Sequence, residues 1–403
     1  MSLEETGKEK RGLRASLDYE RKYVSVTWSV DGSNDEPFER YEIELQKLSE
    51  STDKIRQTLD RLQSMPLAKQ GDFAPYRSTL VQLADAGTEL YELLMTGNED
   101  DPLSGPAAKE FREWFEDEVL GSGDDIDWRI HFVHPDNADL IVPWGLVCTP
   151  DTVSDSGASP DDFPGFWSLA YRATCSVVAR STLPENSMKR TDVRLSAFME
   201  DGSVHTSHTV NQAADETKDR DRLYKVLVPS ADEVLERVRS LRSYDQFWYF
   251  WLEPDSEISS KGDRSLISAE DLLEHMGGSA PQDRIVFLLL DGDAVIRKDR
   301  GPEWLSAALK LGRSGLVAVE ADITNEELRC LGWSILRHVL SEGISFVQAM
   351  EEIRLRLWPH SMLYGVYCDP SEAYADPPDK NTIAVMDEYM TNMGYRIHNG
   401  GPI

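Results

Sequence analysis

From residue 192 onward, short apolar runs alternate with amphipathic helical stretches, and this alternation constrains the fold more than any other feature of the sequence. The runs QFWYFWL (246–252) and RIVFLLL (284–290) are apolar almost throughout, which is typical of strands that are buried on both faces. Between such runs lie stretches with helical spacing, such as ADEVLERVRSLRSY (231–244). The pattern predicts an α/β fold with a mostly parallel sheet that is flanked by helices.

The preceding half of the chain predicts an extension in which helices and strands are grouped instead of alternating. KYVSVTWSVDG (22–32) alternates like a half-buried strand and stops at an Asp-Gly turn. Helical periodicity then runs through 38–65, 76–96 and 107–120, and strands are predicted at 128–135 and 138–148. We therefore expect an N-terminal helical and strand extension before the α/β core.

Changes in composition divide the 403 residues into four predicted parts. Residues 1–18 are polar and lack periodicity, which predicts a flexible N-terminus. The other three parts are an N-terminal helical and β part at 19–190, the α/β core at 191–376 and a C-terminal tail at 377–403.

Composition and charge exclude several classes of function. The formal net charge is −30, with 72 acidic against 42 basic side chains, which argues against a surface for nucleic-acid phosphates. The four cysteines form no CxxC pair, so neither a zinc site nor a disulfide framework is indicated. The start of the chain is charged and no apolar run approaches the ~20 residues of a membrane span. We expect an acidic cytoplasmic protein without cofactor or metal that binds protein partners and not membranes.

The chemistry of such a fold is expected where strands reach their carboxyl ends, because ligands of doubly wound sheets bind there. Leu252, Glu253 and Asp255 follow the first apolar run, and Asp291 and Asp293 follow the second. A cysteine hydrolase would place an imidazole and a thiol at two such ends. Neither group is present in the sequence there.

Six stretches of the chain resemble the CHAT domain, a caspase-like module of the clan CD cysteine peptidases that is related to separases. In LIVPWGLVCTPD, Pro143 and Trp144 match the family's PWE signature, and Gly145 stands where Glu is usual. EGISFVQAMEEIRLRLWP (342–359) is similar to a family motif that begins with a glycine, has a small residue two positions later and ends with an arginine, which falls at Arg354. The other four stretches are DQFWYFWLE (245–253), DRIVFLLLDGDA (283–294), EWLSAALKLGRSGLVAVEADITNEEL (303–328) and MLYGVYCDP (362–370). Their order and spacing cover residues 75–370.

The resemblance implies that the catalytic dyad of the family is degenerate in this chain. Carried over residue by residue, the histidine falls at Leu252 and the cysteine at Asp291, and the glycines beside the histidine become Trp251 and Glu253. Leucine transfers no proton, and a carboxylate is a weak nucleophile toward amides. The resemblance thus implies a pseudoprotease, not an enzyme, that works as an adaptor, regulator or protease substrate in a prokaryotic antiviral defence or cell-death system. Its partner would be an active protease or a sensor of the same system.

Two other classes of function stay open. An active cysteine protease with a displaced nucleophile could use Cys148, which His131 and His134 precede in sequence, or Cys368, which follows His360. Metal binding by the two histidines with Asp136 is disfavoured, since a spacing of three places them on opposite faces of a strand. A small-molecule sensor has little support, because no glycine-rich phosphate loop follows a predicted strand.

The same strand ends suggest a rim for binding partners. Trp251, Glu253, Asp255 and Asp293 would form an acidic rim that receives a basic peptide or a cation. The competing interpretation is a solvated acidic loop, which the nearby basic residues Arg297, Lys298 and Arg300 favour. The loops 149–165 and 254–267 are further candidate surfaces for partner recognition, because both are long and polar.

Overall fold

A computed structural model describes the structure of part of the chain. The described residues are 9–31, 37–66, 72–98, 101–122, 126–135, 140–177, 195–200, 223–227, 246–251, 274, 285–290, 313–320 and 346–367. They fall into two compact units, which are chiefly Met1–Arg180 with Arg354–Val366, and Ser181–Ile353 with Tyr367–Asn399. The predicted boundary between residues 190 and 191 lies outside the described residues, as does the predicted tail after residue 376.

The first unit contains a mixed sheet whose strand order is β3-β2-β1-β4-β5-β11. Its strands are β1 (Glu9–Tyr19), β2 (Tyr23–Val30), β3 (Tyr41–Glu44), β4 (Ile126–His134), β5 (Thr174–Val177) and β11 (Tyr364–Tyr367). β2 is antiparallel to both β1 and β3, whereas β4 is parallel to both β1 and β5. The antiparallel edge strands β2 and β3 lie within the predicted extension at 19–190, and β1, β4 and β5 are parallel to one another.

The predicted flexibility of residues 1–18 is wrong from residue 9 onward, because β1 lies inside the sheet. Leu13 pairs with Val30 on one side and with Ile130 on the other. Leu13, Ala15 and Leu17 alternate inward and are buried. The sequence of β1 is otherwise polar or charged, so these three apolar side chains are the main indication of the two-residue period of a strand.

Helices of the first unit pack on each other and on this sheet. They are α1 (Leu45–Gln63), α2 (Arg77–Thr96), α3 (Ser104–Trp114), which continues as a π-helical turn (Phe115–Leu120), and the short α4 (Trp167–Ala170). A further helix, α5 (Phe346–Arg356), precedes β11. The predicted helices at 76–96 and 107–120 are confirmed, although the last turn of the second is π-helical.

Two predicted elements differ from the structure. The helix expected at 38–65 begins only at Leu45, because Tyr41 and Ile43 are buried in the edge strand β3. The strand expected at 138–148 is irregular over its described residues and contains a 3₁₀ turn at Trp144–Leu146. Pro143 has no N–H to donate to a strand ladder, so an apolar run around it does not specify a strand.

An aromatic core joins the helices of the first unit to its sheet. Trp28 stacks on Phe111 with ring centroids 4.4 Å apart, and Phe132 stacks on Trp144 at 4.3 Å. The indole of Trp28 donates a hydrogen bond to the Tyr41 hydroxyl (2.8 Å), which donates to the Leu94 carbonyl (2.7 Å). Burial raises the pKa of Tyr41 well above its usual value, so this hydroxyl stays protonated and can donate.

The second unit contains a five-stranded sheet with the order β10-β9-β8-β6-β7. The strands are β6 (Leu195–Glu200), β7 (Leu223–Leu227), β8 (Gln246–Trp251), β9 (Ile285–Leu290) and β10 (Arg313–Val319). All four pairings between them are parallel. The predicted α/β class with a mostly parallel sheet is therefore confirmed. The helices expected between these strands, at 231–244 and 268–278 among others, lie almost wholly outside the described residues.

Candidate functional site

Two neighbouring strands of the second unit end side by side. β8 and β9 pair in parallel from Gln246↔Ile285 to Phe250↔Leu289. One residue further along the same register, Trp251 and Leu290 are the last residues of the two strands. Because parallel strands present their carboxyl ends at one edge of a sheet, these ends form the edge at which a ligand or a dyad would be held.

The predicted dyad positions follow these two ends directly in the sequence. Leu252 comes after Trp251, and Asp291 comes after Leu290. Leu252 and Asp291 lie outside the described residues, as do the rim residues Glu253, Asp255 and Asp293 and the loop 254–267. Their roles therefore stay predictions, although the backbone register brings the two strand ends together as those predictions require.

Sequence reasoning missed two glutamate positions at the same edge of the sheet. Glu200 is the last residue of β6 and pairs with Trp251. Glu320 follows β10 directly and is only 4% exposed. Ala318 pairs with Leu290, so the chain reaches Glu320 two residues beyond the end of β9. The available signal is the single glutamate in the otherwise apolar run LVAVEA (316–321).

The PWG segment of the first unit is a buried turn against β4. Trp144 stacks on Phe132, and its indole Nε1–H donates to Nε2 of His134 over 2.9 Å. A Cβ atom added to Gly145 would lie 3.2 Å from the Cβ of Ser168 and 3.9 Å from Nη2 of Arg354. Gly145 therefore lets the turn pack closely on the guanidinium that α5 supplies.

Arg354 is a buried cation, 4% exposed, that is held by backbone carbonyls. Its Nη1 donates to the Ser168 carbonyl (3.0 Å) and its Nη2 lies 3.4 Å from the Tyr364 carbonyl. The hydroxyl of Ser361 in turn donates to the Arg354 carbonyl over 2.8 Å. The side chain thus links α4 to the beginning of β11, and the PWG turn packs beside it.

Cys148 does not have the environment of a nucleophile. Its side chain is buried, and burial raises the pKa of its thiol to about 11. Its sulfur lies 3.7 Å from the Thr149 carbonyl and 4.0 Å from the Thr152 hydroxyl. Reactive cysteines have the opposite setting, with a lowered pKa and a nearby base or cation.

The histidines near Cys148 in the sequence are engaged in other contacts. Nδ1 of His131 lies 2.8 Å from the Thr174 hydroxyl, and His134 contacts Tyr19 and Trp144. His360, which precedes Cys368 in sequence, donates from Nε2 to the Met65 carbonyl over 3.2 Å. Within the described part of the chain, no group of three or more His, Cys, Asp or Glu side chains could hold a metal ion. Asp136 and Cys368 lie outside it.

The loop 149–165 is described, and hydrogen bonds hold it in one shape. Arg77, at the start of α2, donates to the carbonyls of Ser154 (3.0 Å), Asp155 (2.8 Å) and Gly157. The indole of Trp358 donates to the Ala158 carbonyl over 2.7 Å. The backbone N–H of Ser159 donates to the Asp162 carboxylate, and hydrogen bonds from Ser159 lower the pKa of that carboxyl. Recognition of a partner by this loop stays a prediction.

Replacing Arg77 by alanine is expected to release this loop. Three charge-assisted hydrogen bonds would be lost, each worth about 1–2 kcal/mol of local stability. Cleavage of the folded protein by an endoproteinase specific for aspartate should then speed up at Asp151, Asp155 and Asp161 by roughly tenfold or more, because cleavage follows the open population. Peptide mass spectrometry of a digestion time course measures this rate.

Arg61→Ala is the matched control for this experiment. Arg61 is exposed on α1 and donates to the Gln82 side chain over 2.7 Å, so its loss removes an arginine without touching the loop. Equal rates of cleavage in the two variants would show that Arg77 does not hold the loop.

The described elements define a mixed α/β protein whose second unit is a parallel sheet. In a comparison with solved structures, the chain is similar to separase in the Saccharomyces cerevisiae separase–securin complex, with 10% identity and a TM-score of 0.47. The match covers 90% of this chain and 30% of the separase chain. No family model matches the chain, and no curated protein matches it significantly. None of the described helices is both long and apolar enough to span a bilayer.

Proposed function

We propose that this protein is a catalytically inactive, CHAT-like protein with a caspase-like core that acts through protein–protein contacts. Its role would be that of an adaptor, regulator or protease substrate in a prokaryotic defence or cell-death system. The proposal joins the resemblance of the sequence motifs to the strand geometry of the second unit. Similarity of fold alone would not support a specific function, since one fold hosts many activities.

The observation that carries the proposal is the paired register of β8 and β9. A histidine–cysteine dyad requires the residues after two strands to lie within hydrogen-bond reach. The strands end side by side at Trp251 and Leu290, one residue before Leu252 and Asp291. This register supports the residue-by-residue alignment, and the alignment places an aliphatic and a carboxylate where the imidazole and the thiol belong.

A second line of support comes from two motif stretches that lie far apart in the sequence. The PWG turn at 143–145 and Arg354, the arginine that closes the motif in 342–359, lie far apart in the chain. In the first unit, a Cβ atom added to Gly145 would lie 3.9 Å from Nη2 of Arg354, so the two motifs are close together in space. Motifs that meet in space are expected if their resemblance reflects a shared scaffold and not chance similarity.

The alternative function is an active cysteine hydrolase whose nucleophile is Cys148 or Cys368. The structure argues against Cys148. The burial and the raised pKa of Cys148 leave its thiol protonated and shielded at neutral pH. Cys368 lies outside the described residues and stays a candidate. A test of the proposal must therefore include both cysteines.

Labelling with a thiol-directed probe tests inactivity directly. The folded protein should react slowly with iodoacetamide at pH 7, with no cysteine labelled faster than a free thiol peptide, and should cleave no member of a peptide library. Cys148→Ala and Cys368→Ala should leave both readouts unchanged. Urea-unfolded protein, in which all four cysteines should react, is the positive control. Peptide cleavage that either substitution abolishes would overturn the inactive assignment.

A further inference from the structure

His134 on β4 is a buried histidine whose two ring nitrogens both have partners. Nδ1 lies 3.1 Å from the Tyr19 hydroxyl, and Nε2 lies 2.9 Å from Nε1 of Trp144. An indole N–H can only donate, so Nε2 must be the unprotonated acceptor. The neutral ring therefore carries its hydrogen on Nδ1 and donates it to the Tyr19 oxygen.

This arrangement is incompatible with a protonated imidazole. A proton on Nε2 would face the N–H of Trp144, so that two donors would oppose each other in a site where His134 is 1% exposed. Tyr19 on β1 contacts His134, the charge of His131 on β4 acts on it, and Cys175 on β5 acts on Tyr19. None of the three is a carboxylate that would stabilise an imidazolium.

We propose that the Tyr19–His134–Trp144 chain is an acid-sensitive switch, in which proton uptake by His134 releases Trp144 and opens the PWG turn from β4. The turn can open without breaking a strand ladder, because Trp144–Leu146 form a 3₁₀ turn and not a strand. The switch adds a conformational response to the protein and does not depend on the proposed function.

The direction of the response follows from linkage. Burial, together with the charge of His131, lowers the pKa of His134 to about 3, whereas an exposed histidine has a pKa of about 6.5. The closed form thus binds fewer protons than the open form between these values. Its stabilisation is fully present above pH 6.5 and decreases as the pH falls toward 3, by about tenfold in the opening equilibrium per pH unit.

Hydrogen exchange of the segment 140–148, corrected for the intrinsic pH dependence of exchange, tests the switch. Between pH 6.5 and 4.5, protection of this segment should fall roughly 50-fold in the unmodified protein. His134→Gln should remove that fall, because its side-chain carbonyl accepts from Trp144 and its amide donates to Tyr19 without titrating. His131→Gln is the matched control and should retain most of it.

Two results would overturn the switch. One is an unchanged pH dependence in His134→Gln. The other is an equal loss of protection in α1, which would show global acid unfolding instead of a local opening. Trp144→Phe provides an independent readout if the glutamine variant does not fold. It removes the indole donor that opposes a proton on Nε2 and keeps an aromatic ring that stacks on Phe132 and buries His134. The opening should therefore lose part of its pH dependence but not all of it, and a pH dependence equal to that of the unmodified protein would also contradict the proposal.

Discussion

Gly87→Ala is expected to destabilise the protein by about 3 kcal/mol, although alanine is the better helix former by about 1 kcal/mol. Gly87 lies in the middle of α2, where the helix packs directly on the chain that follows the PWG turn. A Cβ atom there would collide with the Leu146 carbonyl and lie 2.9 Å from the Cys148 Cβ. The added methyl group would also disturb the hydrogen bond from the Cys148 N–H to the Gly87 carbonyl (3.1 Å).

Urea unfolding followed by near-ultraviolet circular dichroism of the aromatic core measures this effect. Ser78→Ala introduces an alanine at an exposed position of the same helix and serves as the control. It should change the free energy of unfolding by less than about 0.5 kcal/mol. If Gly87→Ala unfolds at the same urea concentration as the control, α2 does not approach the 146–148 segment as closely as described.

The parallel sheet could be predicted from the sequence because each of its strands carries its own signal. FWYFWL (247–252) and IVFLLL (285–290) are apolar throughout and are bounded by polar residues, which leaves few structures other than a doubly buried strand. The direction of the strands also fits the expected class, since all the described pairings within the second unit are parallel. Local pattern and topology agree there.

The errors fall where pairing with distant residues decides the structure. β1 is a strand because it lies between β2 and β4, and its charged sequence gives little local indication of this. Tyr41 and Ile43 were assigned to a helix because the helical period continues through them, yet pairing with β2 makes them a strand. Tertiary contacts override local propensity at both places.

The candidate site was predictable in part. The two strand ends follow from the apolar runs, whereas the register that brings Trp251 and Leu290 together required the structure. The environment of Arg354 could not be predicted, because its partners Ser168 and Tyr364 come from separate elements. By contrast, Gly87 is an isolated glycine inside the predicted helix 76–96, and such a glycine indicates close packing of the helix on a neighbouring segment.

If Leu252 and Asp291 occupy the paired positions of a lost catalytic dyad, a cysteine at each position should form a disulfide under mild oxidation. Neighbouring strands are about 4.8 Å apart, and disulfides form when the two Cα atoms are separated by about 4.4–6.8 Å. Peptide mapping by mass spectrometry would identify this bond among the native cysteines.

The most direct measurement compares Leu252→Cys/Asp291→Cys with Gln246→Cys/Asp291→Cys. Gln246 is at the opposite end of β8 and pairs with Ile285, so its cysteine would be about 20 Å from position 291 at 3.3 Å per residue. We predict nearly complete cross-linking of the first pair and none of the second. Absence of the 252–291 disulfide, or equal cross-linking in the control, would contradict the alignment and with it the interpretation of this protein as an inactive relative of a protease.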